Sequence, residues 1–257
     1  MSQEVSSPAT DGQFRVSKVL STSLSVLGHN AVPFILITII VQLPTLLAQL
    51  FLDPNFATDP GTVVVPELGS TFAYLGLLMV ISAVTNGLTS AALIYGSFQD
   101  LRGQKVGLGE CFARAIAVLP AVVIASLVLG ILVGIGTVLL IVPGVIFYVV
   151  FWLYAPAIVA EKKGISEAFA RSRELTKGKR WQIFAILLII FIGLFIVDYV
   201  IGAVLGSALG AVAIATTVYV VNSAIGAYMA VAVAVTYYYL RADKEGVDIE
   251  DIAKLFD

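Results

Sequence analysis

Few residues in this chain are of types that do chemistry. It holds one histidine, His29, and one cysteine, Cys111. A zinc site takes several such ligands, and hydrolase chemistry would need His29 beside a buried serine and an orienting acid. His29 instead stands next to Asn30 at the end of an amphipathic run. A headgroup contact or a helix-end role is the expectation there. Asp198 is the one acid well inside an apolar run, and ionisable residues in such runs are functional candidates. Counted from Trp181 it lies about 26 Å along a helix rising 1.5 Å per residue, close to the far interface. An intramembrane aspartyl protease would need a second aspartate opposite it, and the sequence offers none. With no paired carboxylates and no histidine cluster at one depth, the expectation is a protein that is not an enzyme and takes no metal and no cofactor.

Three uncharged polar residues, Gln42, Asn86 and Asn222, fall near the middle of apolar runs. Two readings stand for them. Side-chain amides glue neighbouring helices together in membranes, or a converging amide cluster lines a path for a solute. Pro143-Gly144 interrupts another run. A proline removes a backbone donor and clashes with the preceding turn, so this pair is a candidate hinge. A third group is basic: Arg171, Arg173, Lys177, Lys179 and Arg180, with Arg114 and Lys18. Between Glu161 and Arg180 seven bases face three acids, a net of +4. Such segments are attracted to anionic headgroups by about 1 kcal/mol per basic residue, and they also set membrane orientation.

The elements that must position these residues follow from composition. The chain is 59% hydrophobic and 12% charged, against roughly 45–50% and 25% in soluble domains. A membrane-crossing helix needs about 20 apolar residues. Candidates run over 31–52, 70–98, 181–201 and 213–240. Residues 115–160 carry no charge at all; that length fits two spans, joined near Gly134-Ile135-Gly136. Six spans return the chain to the side it started from. All fifteen Lys and Arg fall on that side, and the alternate loops hold none. Basic residues stay cytoplasmic, so both termini are expected in the cytoplasm. The polar first residues lack the features of a signal peptide. Residues 1–12 read as a disordered tail, 13–242 as one membrane domain and 243–257 as an acidic cytoplasmic tail.

A local pattern recurs. Gly107-Leu108-Gly109-Glu110-Cys111-Phe112-Ala113-Arg114 matches Gly164-Ile165-Ser166-Glu167-Ala168-Phe169-Ala170-Arg171 at Gly, Glu, Phe, Ala and Arg. Both have apolar residues on one helical face, and Val16, Val19, Leu20, Leu24 and Leu27 repeat the face before the first span. Short helices of this kind lie in the membrane interface. The fold class expected is therefore all-α: a polytopic membrane protein whose six spans form three repeats, about 13–104, 105–162 and 163–242. Each repeat is an interfacial amphipathic helix followed by a helical hairpin. Glycines four apart, at 202, 206 and 210 and at 130 and 134, have two readings: the spacing permits close helix approach, or they belong to outer turns.

Three stretches carry a family likeness: Leu139-Leu140-Ile141-Val142-Pro143-Gly144-Val145-Ile146, then Ala155-Pro156-Ala157-Ile158-Val159-Ala160-Glu161, then Ala168-Phe169-Ala170-Arg171-Ser172. Together they resemble the bacterial membrane proteins related to the membrane domain of glycerophosphoryl diester phosphodiesterases, the YciC-like proteins among them. The resemblance implies six helical spans in an inner membrane. It does not bring the phosphodiesterase activity, which belongs to a soluble domain with metal-binding carboxylates and histidines. The functional expectation is a lipid-interacting or membrane-organising scaffold, and the alternative is a small-solute or lipid transporter with a polar site at the midplane. Expected partners are membrane lipids, then a second copy or another membrane protein; no nucleic acid is expected.

Overall fold

The computed structural model describes residues 14–52, 68–205 and 211–246. They form nine helices: α1 (Val16–His29), α2 (Ala31–Leu52), α3 (Leu68–Leu101), α4 (Leu108–Leu139), α5 (Ile141–Phe151), α6 (Tyr154–Glu161), α7 (Ile165–Thr176), α8 (Arg180–Leu205) and α9 (Ala211–Glu245). Among the described residues there is no strand. Six helical segments are long and apolar enough to cross a membrane, with α5 and α6 together making the fourth. Helices are what lipid demands, because each satisfies its own backbone groups where no water can. The protein is a multi-pass membrane protein.

α3 and α9 are the longest, with 34 and 35 residues, or about 50 Å each at 1.5 Å per residue. They pack on each other at the end of the bundle that carries the bases. There Ala91, Ala92, Leu93 and Ile94 share one buried core with the Ala-Val run of α9, in which Val231, Ala232, Ala234 and Val235 are fully buried. Small side chains let the two backbones approach closely. α1 lies across this end. Its Thr22 hydroxyl bonds Tyr239 at 3.0 Å, the Lys18 ammonium sits 5.2 Å over the same ring, and Asn30 donates to Asp100 at the end of α3 at 2.7 Å. The α3–α4 turn closes with Gly103 at φ 69°. Gln104 N–H bonds Gln99 C=O at 2.9 Å and Gly103 N–H bonds Asp100 C=O at 2.8 Å, the paired bonds of a Schellman cap.

At the far end the spans present their large apolar residues outward: Leu47 and Phe51 of α2, Phe72 of α3, Val138 of α4, Phe195 of α8. The packed core therefore belongs to the basic half of the bundle.

The sequence expectations differ from the structure in four places. The third and fourth spans do not turn at residues 134–136; α4 runs on to Leu139, and the chain reverses at Leu140, whose backbone is extended. Nothing between Gly134 and Gly136 removes a helical hydrogen bond, so the helix continues. Pro143 does not kink a span; it is the third residue of α5, where its missing N–H has no intrahelical partner to lose. The fourth span breaks instead at Trp152-Leu153, between α5 and α6. The second amphipathic segment, from Leu108, is not a separate interfacial helix but the start of α4, whereas α1 and α7 are separate helices. Finally, Gly130, Gly134 and Gly202 have nothing within 4 Å of where a Cβ would stand; positions 206 and 210, like residues 1–12, lie outside the described residues.

Close approach is made by a different pair. A Cβ on Gly136 would lie 2.9 Å from the Gly144 Cα, and one on Gly144 would meet Thr137, 2.9 Å from its backbone nitrogen. α4 and α5 touch backbone to backbone here. Overpacking such a contact costs about 1–3 kcal/mol. Gly144→Ala is therefore expected to lower the thermal unfolding temperature in micelles, while Gly134→Ala leaves it unchanged; equal melting of the two variants would contradict this hairpin geometry.

Candidate functional site

Above the packed half, polar faces of three spans turn toward one another. On α2, Thr38, Gln42, Thr45 and Gln49 follow at i, i+4, i+7 and i+11, which is one face of a helix. On α3 the matching face is Ser82, Thr85, Asn86, Thr89 and Ser90, and on α9 it is Tyr219, Asn222, Ser223 and Gly226. Thirteen residues from these helices, apolar Leu46 and Val218 among them, line a cavity of about 450 Å³. None of them is charged. A second cavity of about 420 Å³ adjoins it, with Asn86, Ser90 and Gly226 common to both. This second lobe is bounded by α4, α5 and α6 and is lined by Tyr148, Trp152, Tyr154, Leu129 and Val133.

Hydrogen bonds order the polar lobe. Gln42 donates to Asn86 across α2 and α3 at 2.7 Å, and Asn86 donates to Ser82 C=O at 2.8 Å. The Thr45 and Thr85 hydroxyls meet at 2.9 Å. Tyr219 donates to the Ile39 carbonyl, fastening α9 to α2. Thr38 bonds back to Phe34 C=O at 2.9 Å, which satisfies a threonine within its own helix. The Thr89 hydroxyl is buried without a hydrogen-bond partner among the described residues. An unpaired buried hydroxyl costs about 1–3 kcal/mol.

The three amides singled out from the sequence thus line one cavity. Asp198 stands at its edge: Asn222 Nδ2 lies 3.4 Å from the Asp198 carboxylate, and the aspartate is exposed on α8. Pro143 lines neither lobe, and neither does Gly144. Thr38, Thr45, Gln49, Thr89 and Ser223 join them in the lining, beyond what the sequence expectation includes. Their signal is present in the sequence as polar residues at helical spacing, masked by the threonines, which are common in apolar helices.

A second constellation lies at the basic end. Glu161 ends α6, Arg171 lies on α7, and Tyr237, Arg241 and Glu245 lie on α9. Arg171 Nε is 3.0 Å from Glu161, and its other nitrogens reach Glu245 and, at 3.4 Å, Glu174. Arg241 pairs with Glu245 at 2.7 Å and stands 3.6 Å from Glu161. Tyr237 donates to Glu161. The Glu161 and Arg241 side chains are only 9% and 8% exposed. Burial alone would push the Arg171 guanidinium down, but the Glu245 hydrogen bond and the Glu161 charge hold it above its ordinary value.

The residues read as headgroup contacts divide accordingly. Arg171 is consumed by this cluster, Arg114 donates to Val159 C=O at 2.7 Å, Lys179 pairs with Asp243 at 3.0 Å and Lys18 covers Tyr239. Arg173, Lys177 and Arg180 remain exposed. His29 is exposed, 3.6 Å from Asp100, and Cys111 is buried. Among the described residues no three His, Cys, Asp or Glu side chains converge on a metal-sized site.

Removing one member of a buried ion pair costs about 3–5 kcal/mol, because the partner charge stays behind. Glu161→Ala would leave Arg171 and the buried Arg241 competing for Glu245. It is expected to lower the unfolding temperature in micelles far more than Arg173→Ala, whose side chain is exposed; a matching small effect of both would remove the cluster's structural role.

The sequence model of a family described as a domain of unknown function, DUF7847, matches residues 14–242. No curated protein and no solved structure matches the chain.

Proposed function

The chain belongs to the DUF7847 family, and from its own geometry we propose that it is a membrane carrier for an uncharged, hydrogen-bonding molecule. The observation that carries this reading is the cavity in which Gln42, Asn86 and Asn222 converge. Amides that serve only as glue bond across a closed helix contact. Here Gln42 and Asn86 bond each other and still border open volume, and Asn86 keeps an exposed side chain. Ligand pockets are typically concavities of about 300–1,000 Å³ with a few placed polar groups, and each lobe falls in that range. The absence of charge from the lining selects against ions, since an unpaired charge in such a place is costly.

The one-sided bases support an orientation with both termini in the cytoplasm. In that orientation the packed half and the Glu161 cluster close the cytoplasmic end, and the cavity lies toward the middle and outer part of the bilayer. Arg173, Lys177 and Arg180, beside the exposed Trp181, form a surface suited to anionic headgroups. That surface supports lipid contact as an anchoring role.

The cavity reading is tested by thiol labelling. Cys111, the one native cysteine, is buried and gives a low background. In sealed vesicles, Asn86→Cys and Ser223→Cys are expected to react with a small, membrane-impermeant thiosulfonate from the face opposite the bases, at least tenfold faster than Leu93→Cys. Reaction of all three at the background rate would exclude a water-reached cavity and with it the carrier.

A further inference from the structure

We infer that the molecule taken up is an uncharged amphiphile, a lipid-like compound with a neutral polyhydroxyl or ester head, which spans both lobes of the cavity. This inference rests on the carrier reading above and names its substrate class. The two lobes differ in chemistry. Gln42, Asn86 and Thr89 give the first lobe amide and hydroxyl donors and acceptors. Tyr148, Trp152 and Tyr154 give the second lobe aromatic walls among apolar neighbours. Asn86 borders both, so a single molecule can reach from one to the other.

A small hydrophilic solute would fill the first lobe and leave the aromatic lobe without a complement. A hydrocarbon would fill the second and leave the first without a complement, the unpartnered Thr89 hydroxyl included. A molecule with a hydrogen-bonding head and an apolar body complements both. Its head is neutral, because no Lys, Arg, Asp or Glu lines either lobe, a buried charge needs a partner, and the carboxylate at the edge, Asp198, is exposed on α8 and already accepts from Asn222.

The two tryptophans allow a direct test. Trp181 is 83% exposed at the helix end, while Trp152 is 6% exposed and lines the aromatic lobe. In the Trp181→Phe protein in nanodiscs, Trp152 is the sole tryptophan reporter. A monoacylglycerol with a brominated chain is expected to quench it saturably, above the linear quenching of bulk lipid, and unbrominated monoacylglycerol should reverse that part. A brominated alkyl sulfate and a brominated alkyltrimethylammonium of equal chain length should give only the linear part. Thr89→Val, which keeps the side-chain shape, and Asn86→Ala should each raise the half-saturating concentration at least fivefold.

Saturable quenching by the charged amphiphiles at equal concentration would overturn the uncharged head. No saturable quenching by the monoacylglycerol would overturn the amphiphile, even with Asn86→Cys labelling intact. In that case the carrier reading stands with a different solute, whereas failure of the labelling removes both. Quenching that neither Thr89→Val nor Asn86→Ala weakens would place the probe outside the cavity and overturn the inference as well.

Discussion

The Glu161 cluster is the interaction on which the rest of the bundle depends. Two acids and two bases from three helices meet where the spans enter the basic interface, and the central pair is almost fully buried. Charges removed from water must be paired and hydrogen-bonded, and this geometry leaves α6, α7 and α9 one mutual arrangement. Tyr237 adds its hydroxyl to the same carboxylate, so the end of α9 is placed by hydrogen bonds as well as by charge. The dense Ala-Val packing of α9 on α3 begins directly beyond it.

Because the spans are gathered at that end, they need not be gathered at the other. Lipid rewards an apolar surface wherever it faces, so Leu47, Phe51, Phe72 and Phe195 are stable pointing outward, and no hydrophobic force compels the far halves to close. Polar residues are the exception. Thr38 and Thr85 settle their hydroxyls on their own helices, but Gln42 and Asn86 carry more donors and acceptors than a single helix can satisfy. They turn toward one another and toward α9. The same constraint that drives glue between helices here borders an open volume.

The hairpin of α4 and α5 shows how little is needed to redirect a span. Two glycines, Gly136 and Gly144, remove the side chains that would hold the backbones apart, and one extended residue, Leu140, reverses the chain. That reversal, with the break at Trp152-Leu153, brings Tyr148, Trp152 and Tyr154 to the second lobe. Arg114 and Arg171, which stand at matching places in the recurring sequence pattern, both reach the last turn of α6. One bonds a main-chain carbonyl and the other a carboxylate.

By itself the sequence determined the helical class, the number of spans and the clustering of bases at one end, because hydropathy and charge act along the chain and need no partner. It also pointed to Gln42, Asn86 and Asn222, since an amide in an apolar run is costly wherever the run is placed. It did not reveal that these three face one cavity, that Pro143 sits harmlessly in a first turn, that the working glycines are 136 and 144 rather than 130 and 134, or that Arg171 is spent on Glu161 and Glu245. Those outcomes depend on which faces of which helices meet. In a chain this apolar nearly every face is compatible with lipid, so the pattern along a helix does not choose its neighbour. The choice is made by the few polar and charged groups that must find partners, and they find them only in three dimensions.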